Sequence, residues 1–226
     1  KVIYPGDLNT GFSSLNVTTI AQAANGDIYF GTGESRPGSS VSNLLGSNGQ
    51  GIWKSTDGIN FARLENTYTT NDQKDIFQSV QRISADPVDA NKLYAATYKG
   101  LRVTTDGGLN WESIPAGISL GSKFTFCDDV KVGSDGSVVV ALDDKTFIST
   151  DGGNTFSTSI LFPSAAGRLE FAISPSDPNY IYCQAANSNG YLDNIYQSTD
   201  HGQTWNVIGP GGYLTFQPLG KQGIYD

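Results

Sequence analysis

Methionine is absent from this 226-residue sequence, histidine occurs once and cysteine twice. One histidine, His201, argues against Ser-His-Asp, Cys-His and multi-histidine metal chemistry. Cys127 and Cys183 match neither a metal-ligand spacing nor a Cys-x-x-Cys redox pair. They read as two buried thiols, or as one disulfide if the chain is exported. Charged residues make up only 16% of the chain, against roughly 25% in an average soluble protein. No run of like charge suggests a tail. The longest apolar stretches are short, Val138 to Leu142 among them. None approaches the roughly 20 residues that span a bilayer. A phosphate-cradling loop is missing, since Gly31-Thr32-Gly33 is too short for one, and no cofactor is expected. The sequence contains no Met and shows no signal-peptide pattern, and the chain is expected to be a mature or trimmed piece of a longer product.

The net charge of −8 repels phosphate backbones and excludes nucleic acid as a partner. What is abundant points to strands and tight turns. There are 27 glycines, 58 residues of Ser, Thr and Asn, and 25 aromatics. Such a composition disfavours helices and suits an all-β chain. The polar, charge-poor, Asn- and Gly-rich character is that of an extracellular or cell-surface protein.

The most informative feature is repetition. Ser55-Thr56-Asp57-Gly58-Ile59-Asn60-Phe61 returns as Thr104-Thr105-Asp106-Gly107-Gly108-Leu109-Asn110-Trp111. It returns again as Ser149-Thr150-Asp151-Gly152-Gly153-Asn154-Thr155-Phe156 and as Ser198-Thr199-Asp200-His201-Gly202-Gln203-Thr204-Trp205. The aspartates Asp57, Asp106, Asp151 and Asp200 lie 49, 45 and 49 residues apart, the size of one propeller blade. Each motif reads as a hairpin turn whose glycines supply positive φ and whose carboxylate accepts turn amides. A second element, Asp86-Pro87 to Tyr94, matches Ser174-Pro175 to Tyr182, and shorter turns at 25–27 and 134–136 replace it in the other repeats. Each repeat therefore has four strands, A to D. Strand B is the most apolar and is expected to be buried on both faces.

The four motifs resemble the Asp-box, or bacterial neuraminidase repeat, β-propeller superfamily over residues 17 to 208. Within it the chain is most similar to the sortilin-like and xyloglucanase-like branch, as in secreted bacterial surface proteins. The first motif is one residue short after Gly58, and the second has Asn110 where Thr is usual. The resemblance implies four complete blades at about 17–66, 76–115, 126–161 and 168–208, with a partial next blade at 213–226. Rings of this superfamily usually have six or more blades. The chain is therefore expected to form part of a larger ring, completed by further blades of the same or another chain.

In such blades the C–D turns share one end with the A–B turns. B–C and D–A connections share the other, where the family binds ligands. From the aligned strand-B residue to the aspartate is 12 residues in the second and third repeats, 28 in the first and 18 in the fourth. The two insertions mark the first and fourth blades as the places for recognition. The first carries Glu34 and Arg36; the fourth carries Asn187, Asn189, Tyr191 and Asp193. Asp128 and Asp129, adjacent in a strand, point to opposite faces, so that one can face a central channel. These loops suit a protein or polysaccharide partner at the cell surface.

Catalytic readings need more. The arginines Arg36, Arg63, Arg82, Arg102 and Arg168 include none in the Arg-Ile-Pro context of a sialidase. A glycosidase needs two carboxyl groups across a cleft. Glu34, Asp72, Asp75, Asp128, Asp129, Asp143, Asp144 and Asp193 are candidates, and no pair matches the xyloglucanase context. The leading expectation is a non-catalytic binding or assembly module of an exported protein. The alternative is a xyloglucanase-like glycoside hydrolase or a fragment of one.

Overall fold

Short runs of alternating and β-branched residues, separated by Gly- and Asp-rich turns, form sixteen strands in the computed structural model. It describes residues 16–34, 49–68, 76–113, 126–142, 145–159, 166–209 and 216–223. The strands make four antiparallel four-stranded sheets, each ordered as in the sequence. The first blade comprises β1 (Val17–Gln22), β2 (Ile28–Thr32), β3 (Ile52–Ser55) and β4 (Ala62–Arg63). The second comprises β5 (Val80–Ala85), β6 (Leu93–Thr97), β7 (Gly100–Thr104) and β8 (Glu112–Ser113). The third holds β9 (Cys127–Val132), β10 (Val138–Leu142), β11 (Lys145–Ser149) and β12 (Ser157–Thr158). The fourth holds β13 (Ala166–Ile173), β14 (Ile181–Asn187), β15 (Leu192–Ser198) and β16 (Asn206–Val207). The chain is an all-β propeller-type protein. Its described residues contain no α-helix, and no helix among them is long and apolar enough to cross a membrane.

Two compact units divide the chain after Ser113, with two blades in each. In the first unit, Tyr29 and Ile52 pack with Phe77, Val80, Ile83, Leu93 and Ala95, so one face of the first blade lies on one face of the second. In the second unit, Val139, Ala141 and Ile148 pack with Leu169, Phe171, Ile181 and Cys183. Burying such side chains contributes roughly 1.5–3 kcal/mol each. Both cysteines are buried free thiols. Burial, and secondarily the charge of Asp129, pushes the Cys183 thiol well above its ordinary range.

Strand B is wholly buried in the second and third blades. The first and fourth depart from the expectation: in β2 Ile28 and Phe30 are only half-buried, and in β14 buried Ile181 and Cys183 alternate with exposed Tyr182 and Gln184. The physical reason in β14 lies in the neighbours among the described residues: the Ile181 and Cys183 face packs on the third blade, whereas Gln184 on the other face lines a cleft with residues 218–223.

Strand A carries a register shift near its start in every blade, leaving Thr18, Gln81, Asp128 and Gly167 without a direct partner on strand B. Gly167 is obligatory there, because a Cβ would stand 2.3 Å from the Asn187 carbonyl oxygen. Such bulges bend a strand at the rim of a sheet.

Candidate functional site: the two ends of the blades

In each blade the aspartate turn joins strands C and D at one end of the sheet. In the third blade the Ser149 hydroxyl donates to Asp151 Oδ1 at 2.7 Å and accepts from the Gly153 amide at 2.8 Å. Asp151 also accepts from the amides of Asn154 and Thr155 and, at 2.6 Å, from the Thr155 hydroxyl. The fourth blade repeats this with Ser198, Asp200, Gly202 and Thr204. In the second, Asn110 replaces the threonine and its side-chain amide reaches Asp106 Oδ2 at 2.8 Å. In the shortened first motif, Asn60 does the same for Asp57 at 2.7 Å. The departures in sequence thus keep the turn's bonds.

These bonds stabilise the charged carboxylates. The Asn110 amide and side chain hold Asp106 at about 2. The Thr155 hydroxyl and amide hold Asp151 at about 2. The amides of Asn60 and Ile59 hold Asp57 far below the usual carboxylate range. Burial pushes Asp200 up, but hydrogen bonds from Thr204 and Ser198 outweigh it and bring it below its ordinary value. An acceptor whose lone pairs are filled by its own turn is a structural group, and the same bonding recurs four times.

The opposite end is assembled from B–C and D–A connections. In the first unit the Gly49 amide bonds the Gln78 carbonyl at 2.7 Å, and the Ser79 hydroxyl bonds the Gly33 carbonyl at 3.1 Å. Glu34 is exposed there, at the start of the first insertion. Arg36, Asp72, Asp75, Asp143 and Asp144 lie outside the described residues. In the second unit, the fourth-blade insertion is pinned to residues 216–223. The Gly223 amide donates to the Gly190 carbonyl at 2.8 Å, and the Leu192 amide to Gln217 Oε1 at 3.1 Å. Lys221 Nζ lies 5.6 Å from the centre of the Tyr191 ring, within cation–π range. Asp193 accepts from the Tyr196 hydroxyl at 3.1 Å. Burial first, and then Asp193, pushes that tyrosine up to about 12.

The paired aspartates both lie in the interior of the third blade. Asp128 is buried at the bulge and Asp129 is wholly buried. Asp129 accepts from Lys131 Nζ at 2.6 Å, from its neighbour's amide at Val130, and from the Phe171 amide of the fourth blade at 2.7 Å. It is a tie between the third and fourth blades.

Sequence reasoning missed a cleft of about 260 Å³ between the Glu170 and Gln184 face of the fourth blade and residues 218–223. Arg168, Glu170, Gln184, Leu219 and Gln222 line it. Glu170, the only carboxylate in its lining, pairs with Arg168 at 2.9 Å. The alternation of Tyr182 and Gln184 with apolar neighbours in β14 was the available signal.

No family model and no curated protein matches the sequence. Solved structures of similar fold include the GH74 xyloglucanase from Xanthomonas campestris, with a TM-score of 0.59 and 15% identity. The likeness covers 84% of this chain and 29% of that one. A Hadza microbial sialidase matches with a TM-score of 0.54 and 15% identity, over 86% of this chain and 46% of the other. The extracellular domain of a B. thetaiotaomicron hybrid two component system gives a TM-score of 0.56 and 14% identity, over 89% and 23%. At these identities the likeness establishes the propeller fold alone. The chain spans less than half the length of each of these proteins.

Proposed function

We propose that the chain is an Asp-box propeller segment of an exported protein, forming part of a larger ring. It serves as a non-catalytic module that binds glycan or protein at the B–C and D–A end. The observation that carries this reading is the fourth-blade loop, held to residues 217–223 by backbone bonds and by Tyr191 over Lys221. A loop fixed on both sides presents Tyr191, Asn189 and Asp193 with little ordering cost on binding. Glu34 and Arg36 supply the corresponding polar contacts on the first insertion.

Hydrolysis is the less supported reading. It needs a carboxyl pair facing one cleft, whereas the fourth-blade cleft holds Glu170, already paired with Arg168. The test is affinity electrophoresis of the whole chain in gels containing soluble xyloglucan, with a reducing-sugar assay alongside. The reading expects retardation that weakens in Tyr191→Ala and when 35–48 is shortened to a Gly-containing turn. Unchanged retardation in both folded variants would remove the loop end from the proposal. Release of reducing sugar would replace it with the hydrolase.

A further inference from the structure

Among the described residues, two that are not glycine have left-handed backbone: His201 with φ 57° and Lys221 with φ 71°. Such residues are uncommon, and a side chain held there points to a role that outweighs its backbone cost. His201 links its turn to Asp135 at 2.8 Å. Lys221 belongs to the segment that holds the fourth-blade loop.

The local chain explains its conformation. The Gln222 amide donates to the Leu219 carbonyl at 2.7 Å, which closes a four-residue turn around Gly220 and Lys221. Both central residues have positive φ, 52° and 71°, as a type I′ turn requires. Glycine is the favoured residue at the second of these positions. Lysine stands there instead, and its Nζ lies 5.6 Å from the centre of the Tyr191 ring.

A second side chain of the segment reaches the loop. Gln217 Oε1 accepts from the Leu192 amide at 3.1 Å, and Gln217 Nε2 donates to the Leu192 carbonyl at 3.4 Å. A side-chain carboxamide carries the donor and acceptor of a peptide group, so Gln217 pairs with Leu192 as a residue of a neighbouring strand would. It does so where β14 and β15 lose register. Ala185 opposes Asn194 and Ala186 opposes Leu192, which leaves Asp193 bulged. A bulge re-aims the side chains around it. The backbones meet beside it, since a Cβ on Gly190 would stand 2.3 Å from the Lys221 carbonyl oxygen.

We propose that Gln217 and Lys221 are positioning residues of the fourth-blade loop. Gln217 holds the bulge that carries Asp193, and Lys221 sets the orientation of the Tyr191 ring. The assignment rests on the reading of this loop as a binding site and names what gives the site its shape.

Nuclear magnetic resonance of the whole chain tests the positioning without a ligand. The Lys221 ε-methylene protons should lie upfield of their position in Tyr191→Leu, because an aromatic ring shields what stacks on it. Exchange of the Leu192 amide should quicken by about fivefold or more in Gln217→Ala, which removes its acceptor. Equal lysine shifts, or unchanged Leu192 exchange, would overturn the proposal. Affinity electrophoresis in soluble xyloglucan, with urea unfolding alongside, separates position from stability. Lys221→Gly suits the turn, which offsets the entropy glycine loses on folding, and should leave the urea midpoint in place. It should weaken retardation at least about threefold, whereas Lys221→Arg keeps a cation over the ring and should retain most of it. A midpoint that falls in step with the retardation would make Lys221 a structural residue and overturn its assignment. If the wild-type chain is not retarded, the glycan reading fails, and the two resonance measurements decide the positioning by themselves.

Discussion

His201 Nε2 lies 2.8 Å from Asp135 Oδ2, joining the aspartate turn of the fourth blade to the A–B turn of the third. The histidine stands where the other three motifs have glycine, and it keeps the positive φ, 57°, that the turn requires. Histidine tolerates this region better than most residues, though less readily than glycine. Burial pushes Asp135 up, but hydrogen bonds from Ser137 and His201 bring it below its ordinary value. The turn therefore accepts some backbone cost and gains a link between blades.

That link should be measurable. A double-mutant cycle with His201→Ala and Asp135→Ala should give a coupling of about 0.2–1 kcal/mol in low salt. Both side chains are partly solvated, so the coupling should vanish near 1 M salt, where the Debye length is about 3 Å. Zero coupling in low salt would reduce the contact to coincidence of position.

The aspartate turns should contribute to the loss of stability in acid. Asp106 and Asp151 titrate at about 2 when folded, and an unfolded aspartate near 3.9. A depressed folded pKa contributes stability that is fully present above the unfolded value. It is lost as pH falls through the folded one. Chemical denaturation should show little contribution from these groups to any change between about pH 6 and 5, and a steepening loss between about pH 4 and 2. Asp151→Asn should flatten that acid branch; an unchanged slope would count against the turn carboxylates as its source.

Ser198 tests the hydroxyl of the motif apart from its carboxylate. It is fully buried, accepts from the Gly202 amide at 2.8 Å and donates to Asp200 at 2.7 Å. Ser198→Ala strands a buried amide, at a cost of about 1–3 kcal/mol. Urea unfolding that shows no loss would mean the turn finds another acceptor.

The repeated turns made the blades legible in the sequence, because a Ser or Thr hydroxyl two residues before an Asp encodes local hydrogen bonds that need no tertiary context. Strand B was legible in Val138 to Leu142 and misleading in β14, where burial depends on whether a neighbour covers the sheet. The role of Asp129 was illegible for the same reason: its decisive partner is the Phe171 amide, 42 residues away. Nor does any motif announce the cleft, whose walls come from three separate segments. The loop insertions were readable as length, and the pinning of the fourth-blade insertion to residues 217–223 only from the fold.

Tyr29 and Tyr182 occupy the same register position on two blades, one buried and one exposed, and the same substitution should separate them. Tyr29→Phe removes a buried hydroxyl that spans the first and second blades, and leaves the Gly107 carbonyl short of a donor. It should cost about 0.5–1.5 kcal/mol. Tyr182→Phe removes a hydroxyl bonded to half-buried Gln197. It should change stability by less than about 0.5 kcal/mol. Urea unfolding of both variants supplies the comparison. Equal losses in the two variants would mean that the Tyr182 hydroxyl is held as firmly within its own blade as the Tyr29 hydroxyl is between two, and the contrast would fail.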